Sequence, residues 1–180
     1  TLSRNNATIV VEFWTSINRT SNMDILGHTV TGYSHIRRTN ANTLEIESDT
    51  ISQDWGNTPV LTSVDIVLNQ LICIADSGTV TTYLNNVLVD TTTPVNDITF
   101  SIIGNKAIGN NKYEGLIGRV HLHNIAITDA QRDYYWWEFN RIKDVGLKGI
   151  YKPDINYDYS VGAPDLSHEI DSRIGIPEAD

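Results

Sequence analysis

Hydrophobic and polar residues alternate along the first 127 residues in short runs that are separated by turn residues. The run Ala7–Ile17 carries apolar residues on both of its faces, which is typical of a central strand covered on two sides. The run Thr43–Ile51 alternates apolar with acidic residues and indicates a half-buried antiparallel strand. Strands recurring every roughly 8–12 residues predict an all-β, antiparallel β-sandwich.

Glycine, asparagine and aspartate separate the remaining strands. The predicted strands are Asp24–Val30, Tyr33–Thr39, two long strands within Val64–Asp90, Ile98–Gly104 and Gly118–Ile127. Asp76-Ser77-Gly78 and Asn85-Asn86 are predicted hairpin turns, because these residue types tolerate a positive φ. The segment Ser52–Leu61 contains Asp-Trp-Gly-Asn and a proline, and it predicts a loop.

The pattern changes to that of a helix after residue 127. Thr128 and Gln131 have the spacing of a capping box, in which each side chain satisfies a free N–H of the first turn. We predict a helix over 128–147, with Gly146 as its left-handed stop. Its tryptophans and phenylalanine form too large an aromatic surface to remain exposed to solvent, so we expect the helix to cap one edge or end of the sandwich.

The segment 148–180 contains prolines and no hydrophobic period, so it cannot form a core of its own. We expect an extended arm that docks on its own sandwich or on a neighbouring chain. The apolar residues expected to anchor it are Tyr151, Tyr157, Tyr159, Leu166, Ile170 and Ile174. The predicted organisation is therefore a sandwich over 1–127, a capping helix over 128–147 and an arm over 148–180.

Two pieces of the sandwich resemble a known family. TTYLNNVLVD (Thr81–Asp90) and YEGLIGRVHLHNIAITDAQ (Tyr113–Gln131) resemble the closing strands of the laminin-G-like and pentraxin-like branch of the concanavalin A-like lectin/glucanase superfamily. Trp14 in the first strand extends the resemblance. It implies a jelly-roll sandwich, but it does not define a function, because this fold serves lectins, adhesion modules, virion proteins and glycan hydrolases.

Composition and charge exclude several classes of partner. The 180 residues carry a net charge of −9 at pH 7, which argues against nucleic acid because phosphate binding needs a clustered basic surface. No apolar run approaches the roughly 18 residues of a membrane span. Cys73 is the one cysteine, and its apolar surroundings predict a buried thiol rather than a reactive one.

Paired carboxylates for glycan hydrolysis are incomplete. Hydrolases of the superfamily carry a strand motif Glu-hydrophobic-Asp-x-(x)-Glu, with both catalytic acids on one face. Glu45-Ile46-Glu47-Ser48-Asp49 has glutamate in place of aspartate at the third position and aspartate in place of glutamate at the fifth. Glu169-Ile170-Asp171-Ser172-Arg173 ends in arginine. The sequence therefore predicts no catalytic residues and a protein that is not an enzyme.

Metal binding is predicted to be absent, with calcium left open. His121 and His123 share a strand face, a spacing compatible with a metal site, but the sequence identifies no third ligand. The other interpretation is a pair of solvent-facing imidazoles. Some members of the branch that the sequence resembles bind calcium at a loop rim, and the predicted loops of this chain carry side-chain oxygens that could bind it. These belong to Asp54, Asn57, Asp97, Asn105, Asn110 and Asn111.

Sugar binding needs an exposed aromatic ring flanked by amide or carboxylate groups. Trp55 with its neighbour Asn57 offers this locally, and we place a possible ligand rim at Trp55, Asn57, Asn110 and Tyr113. The alternative is that Trp55 folds onto the sandwich as an anchor.

Three functions fit these observations. The first is a non-catalytic structural or adhesion module on a larger assembly, such as a phage or virus decoration or fibre protein, with its partner protein or further copies of itself held by the arm. The second is a glycan-binding, lectin-type domain of a secreted or cell-surface protein. The third is a divergent glycan hydrolase. The expected location is accordingly a virion surface or the cell exterior.

Overall fold

The computed structural model describes residues 1–15, 22–28, 34–48, 51–59, 61, 67–104, 113 and 115–149. Ten strands and one helix lie within these ranges. They are β1 Asn6–Thr15, β2 Met23–Gly27, β3 His35–Arg38, β4 Leu44–Ser48, β5 Ile51–Asn57, β6 Val67–Asp76, β7 Thr79–Leu84, β8 Val87–Thr92, β9 Ile102–Ile103, β10 Ile117–His123 and α1 Asp129–Gly149.

The strands form two five-stranded antiparallel sheets. The first sheet has the order β10-β1-β6-β7-β8, and the second has the order β5-β4-β3-β2-β9. Neighbours in each sheet include strands far apart in sequence, as when β1 pairs with both β6 and β10. This arrangement confirms the predicted jelly-roll β-sandwich with a C-terminal helix.

Strand β1 is covered on both faces, as its sequence predicts. Ile9, Val11 and Phe13 are fully buried in the core between the sheets. On the opposite face, Val10 belongs to a second buried cluster with Ile127. Tyr135 of α1 packs on that second cluster, so the start of the helix lies on the outer face of the first sheet.

Both predicted hairpin turns are present. Ser77 and Gly78 have φ values of 50° and 83°, and Asn85 and Asn86 have φ values of 53° and 63°. Each pair joins two antiparallel strands through a two-residue connection that requires positive φ at both positions. Asparagine at both central positions of the second turn meets this requirement.

The predicted loop Ser52–Leu61 is wrong in its first half, because β5 extends from Ile51 to Asn57. Gly56 has a φ of 143°, and a Cβ placed there would lie 2.5 Å from the Oγ1 of Thr82. The glycine therefore allows a strand of the second sheet to approach the first sheet closely, instead of marking a turn. The strand predicted over Ile98–Gly104 is shorter than expected and consists of β9 with an isolated bridge between Ile98 and Leu2.

The capping box of α1 is confirmed. The Thr128 backbone N–H donates to Gln131 Oε1 at 2.9 Å, and the Gln131 N–H donates to Thr128 Oγ1 at 3.3 Å. The predicted stop at Gly146 is wrong, because the helix continues through it to Gly149. Within the described ranges, no helix combines the length and the apolarity that crossing a membrane requires.

Two compact units divide the chain within α1, at Trp137 and Glu138. The first unit, Thr1–Trp137, contains the sandwich and the start of the helix. The second unit runs from Glu138 to Asp180, and its described part is helical as far as Gly149. The predicted arm from residue 150 onward, with all six of its proposed anchors, lies outside the described residues.

Candidate functional site

The second sheet places polar side chains on its outer side. Strand alternation puts Ile36, Leu44 and Ile46 in the core, so their neighbours point away from it. Backbone pairing then aligns Asp24, Arg37, Glu45 and Asn57 in a row across β2, β3, β4 and β5. His35 lies opposite Glu47 in the next row. We call this surface the outer polar face, and its members are Asp24, His35, Arg37, Glu45, Glu47 and Asn57.

Arg37 and Asp24 form an ion pair at one end of the row. The Nε of Arg37 donates to Asp24 Oδ1 at 2.8 Å, and the Asp24 side chain is fully buried. A buried carboxylate is stable only with such a partner, because desolvation without one is costly. The Nε of Arg37 is thus bound to Asp24. The Arg37 side chain is 15% exposed, so part of it still reaches the surface.

His35 and Glu47 form the second close contact of the face. His35 Nε2 lies 2.6 Å from Glu47 Oε2, and the two side chains are 4% and 14% exposed. Within the described part of the chain, neither ring nitrogen of His35 has a hydrogen-bond partner, because the short contact lacks the alignment of a hydrogen bond. Ligand atoms of His35, Glu45 and Glu47 all lie within 4.8 Å of one another.

The sequence-predicted ligand rim is not assembled at Trp55. The Trp55 ring is fully buried in the core, and its Nε1–H donates to the carbonyl oxygen of Asn96 at 2.8 Å. A ring with no exposed surface cannot stack on a sugar, so its assignment as a ligand residue is wrong. The alternative, in which Trp55 anchors its segment onto the sandwich, describes the structure.

The other members of the rim lie apart from one another. The Asn57 backbone N–H donates to Asp90 Oδ2 of β8 at 2.8 Å. Tyr113 instead donates its hydroxyl hydrogen to the carbonyl oxygen of Trp14 on β1. Strand β8 is at one edge of the first sheet, and β1 is next to the opposite edge. Burial raises the pKa of Tyr113, which contacts the core. Asn110 lies outside the described residues.

The described calcium-ligand candidates are engaged within the fold. Asp54 Oδ1 accepts the Ser48 N–H at 2.7 Å, and its other oxygen accepts the Ser48 hydroxyl. Burial raises the pKa of Asp54 above its usual value, against those hydrogen bonds, which lower it. Asp97 Oδ1 accepts the Arg4 N–H at 2.9 Å. Asn105, Asn110 and Asn111 lie outside the described residues, so calcium at this rim remains a prediction.

His121 and His123 share a face, as predicted, but that face lies under α1. Their rings are parallel, with centroids 6.0 Å apart, and both rings contact Tyr135. His123 Nε2 is 2.8 Å from the Tyr135 hydroxyl. The interpretation as solvent-facing imidazoles is therefore wrong, because Tyr135 half-buries both rings.

An exposed aromatic pair that the sequence did not single out lies at the start of α1. Tyr134 and Trp137 are 58% and 55% exposed, and their ring centroids are 5.9 Å apart. Their i, i+3 spacing places them on one helix face. We expected the tryptophans to be covered by the sandwich, and the exposure of Trp137 contradicts this, whereas Trp136 is half-buried and Tyr135 packs on the second buried cluster.

Comparisons with known proteins give similarity in structure alone. No protein-family profile matches the chain, and the search of curated proteins finds no match. The NanB sialidase from Streptococcus pneumoniae superposes with a TM-score of 0.54 at 22% identity, and the match covers 72% of this chain and 24% of the sialidase chain.

A second set of similar structures comes from the CBM40 of the Ruminococcus gnavus IT-sialidase. One structure has a TM-score of 0.55 at 18% identity, covering 72% of this chain and 81% of that chain. Another, bound to α2,3-sialyllactose, has a TM-score of 0.55 at 16% identity, covering 71% and 80%. At these identities the likeness establishes the jelly-roll sandwich fold and leaves function to be argued from the site.

Proposed function

We propose that this chain is a non-catalytic, glycan-binding module that holds carbohydrate on the outer polar face. The observation that carries the proposal is the row formed by Arg37, Glu45 and Asn57 on adjacent strands. Half-buried guanidinium, carboxylate and amide groups offer both donors and acceptors to sugar hydroxyls. Because they lie on paired strands of a rigid sheet, their spacing is fixed before a ligand arrives.

The charge of the outer polar face favours a neutral sugar. Asp24, Glu45 and Glu47 supply three carboxylates, whereas Arg37 supplies the one permanently charged cation, and its Nε is held by Asp24. An acidic sugar would meet net repulsion at this face, whereas hydroxyl groups can donate to the carboxylates. We therefore infer a neutral, hydroxyl-rich ligand even though the similar Ruminococcus module has been solved with α2,3-sialyllactose.

The comparisons support the class of function in this proposal. Similar structures include a carbohydrate-binding module with the same sandwich, and the chain spans 81% of its length. The proposed relationship to the laminin-G-like and pentraxin-like branch adds the expectation of a secreted or surface-displayed protein. The proposed lack of catalysis rests on the incomplete acid motif around Glu45 and Glu47.

The test measures lactose and α2,3-sialyllactose binding by isothermal titration in the presence of a chelator. We expect lactose to bind at least as tightly as α2,3-sialyllactose, and Glu45→Ala to weaken lactose binding about tenfold through loss of charge-assisted hydrogen bonds. Asp129→Asn is the matched control, because Asp129 is an 83% exposed helix carboxylate away from the face. Trp137→Ala tests the exposed aromatic pair as an alternative ligand surface.

The outcomes separate the parts of the proposal. Binding that is lost in Trp137→Ala and kept in Glu45→Ala would move the ligand to α1. Tighter binding of the sialylated sugar would contradict the argument from charge. No binding on a broad glycan array would reject the function itself.

The second candidate is a structural or adhesion module on a phage or virus surface. The sequence of the arm favours it, because a proline-containing extension with scattered apolar residues needs an external surface on which to become ordered. Its partners would be a protein surface or further copies of the chain. Deletion of the arm, described in the Discussion, tests this candidate.

A further inference from the structure

Three side chains of the outer polar face converge on one point. His35 on β3 lies opposite Glu47 on β4, and Glu45 is on the same side of β4 two residues earlier. One ligand atom from each lies within 4.8 Å of the other two. We propose that His35, Glu45 and Glu47 bind a divalent transition-metal ion of the zinc class. This proposal does not depend on sugar binding.

The state of His35 points to a ligand. Its side chain is 4% exposed, and among the described residues Nδ1 has no hydrogen-bond partner, whereas Nε2 has an ion-pair contact with Glu47 but no hydrogen bond. A buried polar group without a partner is destabilising, and native proteins rarely keep one without a reason. The Nε2 lies 2.6 Å from Glu47 Oε2, yet the two groups are not aligned as donor and acceptor. Two ligand atoms of a tetrahedral ion with bonds of about 2.0–2.2 Å are about 3.3–3.6 Å apart, so a bound ion would replace this direct contact and separate the two atoms.

The donor set indicates the class of ion. One imidazole nitrogen with carboxylate oxygens suits zinc and its first-row neighbours, whereas calcium and magnesium prefer oxygen ligands alone. Zinc binds nitrogen and oxygen at about 2.0–2.2 Å, so its tetrahedral ligand atoms are about 3.3–3.6 Å apart, a spacing that differs from both the 2.6 Å contact of His35 with Glu47 and the 4.8 Å limit of the cluster. Side-chain rotation of the two glutamates, which are more exposed than His35, can close that difference.

Charge also favours a cation at this point. Two glutamates share the face beside a histidine, and Arg37, which lies opposite Glu45 on β3, directs its Nε to Asp24. A divalent ion would neutralise both carboxylates and use the lone pair of a neutral imidazole. Three protein ligands leave at least one position of a tetrahedral ion for water or another ligand.

The experiment uses the full chain without a histidine tag, stripped of metal by chelation and then dialysed. Titration with Zn²⁺ alone should show one bound equivalent. His35→Gln should weaken binding more than about 100-fold, since loss of a ligand exceeds the 10–100-fold cost of losing a supporting contact. Glu45→Gln should also weaken Zn²⁺ binding. Because Glu45 is less buried than His35, this variant tests the site at a residue that contributes less to the packing.

His121→Gln is the matched control, because His121 and His123 are the competing imidazole pair. It should leave the Zn²⁺ affinity unchanged. Electron paramagnetic resonance of the Cu²⁺-loaded protein gives an independent readout, since His35 supplies one coupled nitrogen and the His121–His123 pair would supply two. Circular dichroism of each variant checks that the fold is intact.

A single Zn²⁺ lost in His35→Gln and Glu45→Gln but kept in His121→Gln supports the site. Absence of stoichiometric Zn²⁺ binding would overturn it and leave His35 and Glu47 as an ion pair only. Binding that disappears in His121→Gln, or a preference for Ca²⁺ over Zn²⁺, would also overturn it.

Discussion

Arg119 of β10 holds Glu12 of β1 through two parallel hydrogen bonds, from Nε to Oε2 at 2.9 Å and from Nη2 to Oε1 at 2.7 Å. The two side chains are 13% and 5% exposed. Gln70 of β6 also donates to Glu12 Oε1, at 3.3 Å, and to the carbonyl oxygen of Tyr135 in α1, at 3.1 Å. The charge pair thus joins β1 to β10, and Gln70 of β6 connects it to Tyr135 at the start of α1.

We predict that Arg119→Met lowers the free energy of unfolding by about 3 kcal/mol or more, because it leaves the Glu12 carboxylate buried without its cation. The double variant Glu12→Gln/Arg119→Met should lose less than the single variant. Asp133→Ala is the control, because it removes a 59% exposed partner of Arg132 and should cost less than about 1 kcal/mol. Urea denaturation measures all three, and equal losses in the two Arg119 variants would contradict this account.

Trp55 should affect stability and not recognition. Trp55→Ala is expected to cost about 3–5 kcal/mol through the cavity it leaves. Trp55→Phe should cost about 1–3 kcal/mol, because it leaves the Asn96 carbonyl without its donor. The exposed Trp137 is the matched comparison, and Trp137→Phe should change stability by less than about 0.5 kcal/mol. Thermal denaturation tests the order, and a larger effect at Trp137 would reverse our assignment of core and surface.

Asp54 should make stability depend on pH in the direction opposite to a salt-bridged carboxylate. Burial raises its folded pKa above the unfolded value of about 3.9, so the folded state binds the proton more tightly. The stabilisation is complete below the unfolded pKa and is lost as pH rises through the folded pKa. As the pH is lowered from about 6 to about 3, the melting temperature of the native protein should therefore rise relative to that of Asp54→Asn.

Ser48→Ala provides the companion measurement for Asp54. It removes a hydroxyl that hydrogen-bonds to the carboxylate and lowers its pKa, so the pH dependence should become steeper. A slope of the opposite sign in the native protein would mean that the hydrogen bonds from Ser48 outweigh burial.

Glycan hydrolysis should be absent. Incubation with β-glucans and related polymers is expected to release no reducing ends, because Glu47 and Asp49 stand where the hydrolase motif has aspartate and glutamate. Reducing-sugar assays over several hours check this. If hydrolysis is detected, and Glu45→Gln or Glu47→Gln abolishes it, the outer polar face is catalytic.

Deletion of 150–180 should leave a folded sandwich that no longer assembles or attaches. The cut follows Gly149, the last residue of α1, and so moves the predicted start of the arm by two residues. Ordering the deleted segment costs about 1–2 kcal/mol per residue in backbone entropy, which contacts with another surface must offset. Light scattering and circular dichroism measure assembly and folding. Unfolding of the truncated chain as a monomer would identify the arm as an intramolecular strap.

The sequence predicted the strands and turns where local chemistry and packing agree. Asn85 and Asn86 adopt the positive φ that their hairpin requires, and Thr128 caps α1 as expected. The strand β5 was missed because Asp, Gly and Asn are common in loops, whereas here Gly56 allows Thr82 of the other sheet to lie close to the backbone of β5. Gly56 and Thr82 belong to different sheets, so the residues next to Gly56 in the sequence do not reveal this contact.

The candidate site was harder to predict for the same reason. Alternation placed Glu45 and Glu47 on one face, but the position of His35 relative to them depends on the register between β3 and β4. That register is set by the turn in which the Thr39 N–H donates to the Thr43 carbonyl oxygen at 2.8 Å and Asn42 has a φ of 62°. The Asn-Ala-Asn sequence indicates a turn without specifying which residues it brings opposite each other.

The pairing of β1 with β10 has a consequence for synthesis on the ribosome. Thr8 pairs with His123 and Ile9 with Leu122, so β1, an inner strand of its sheet, receives its second neighbour from the last of the described strands to be made. Chains are synthesised at about 5–20 residues per second, and contacts this distant in sequence form slowly. Until β10 emerges, one edge of β1 has no partner from this chain, and an unpaired edge can pair with another polypeptide. The nascent chain therefore leaves this edge of β1 open to misassociation until β10 emerges.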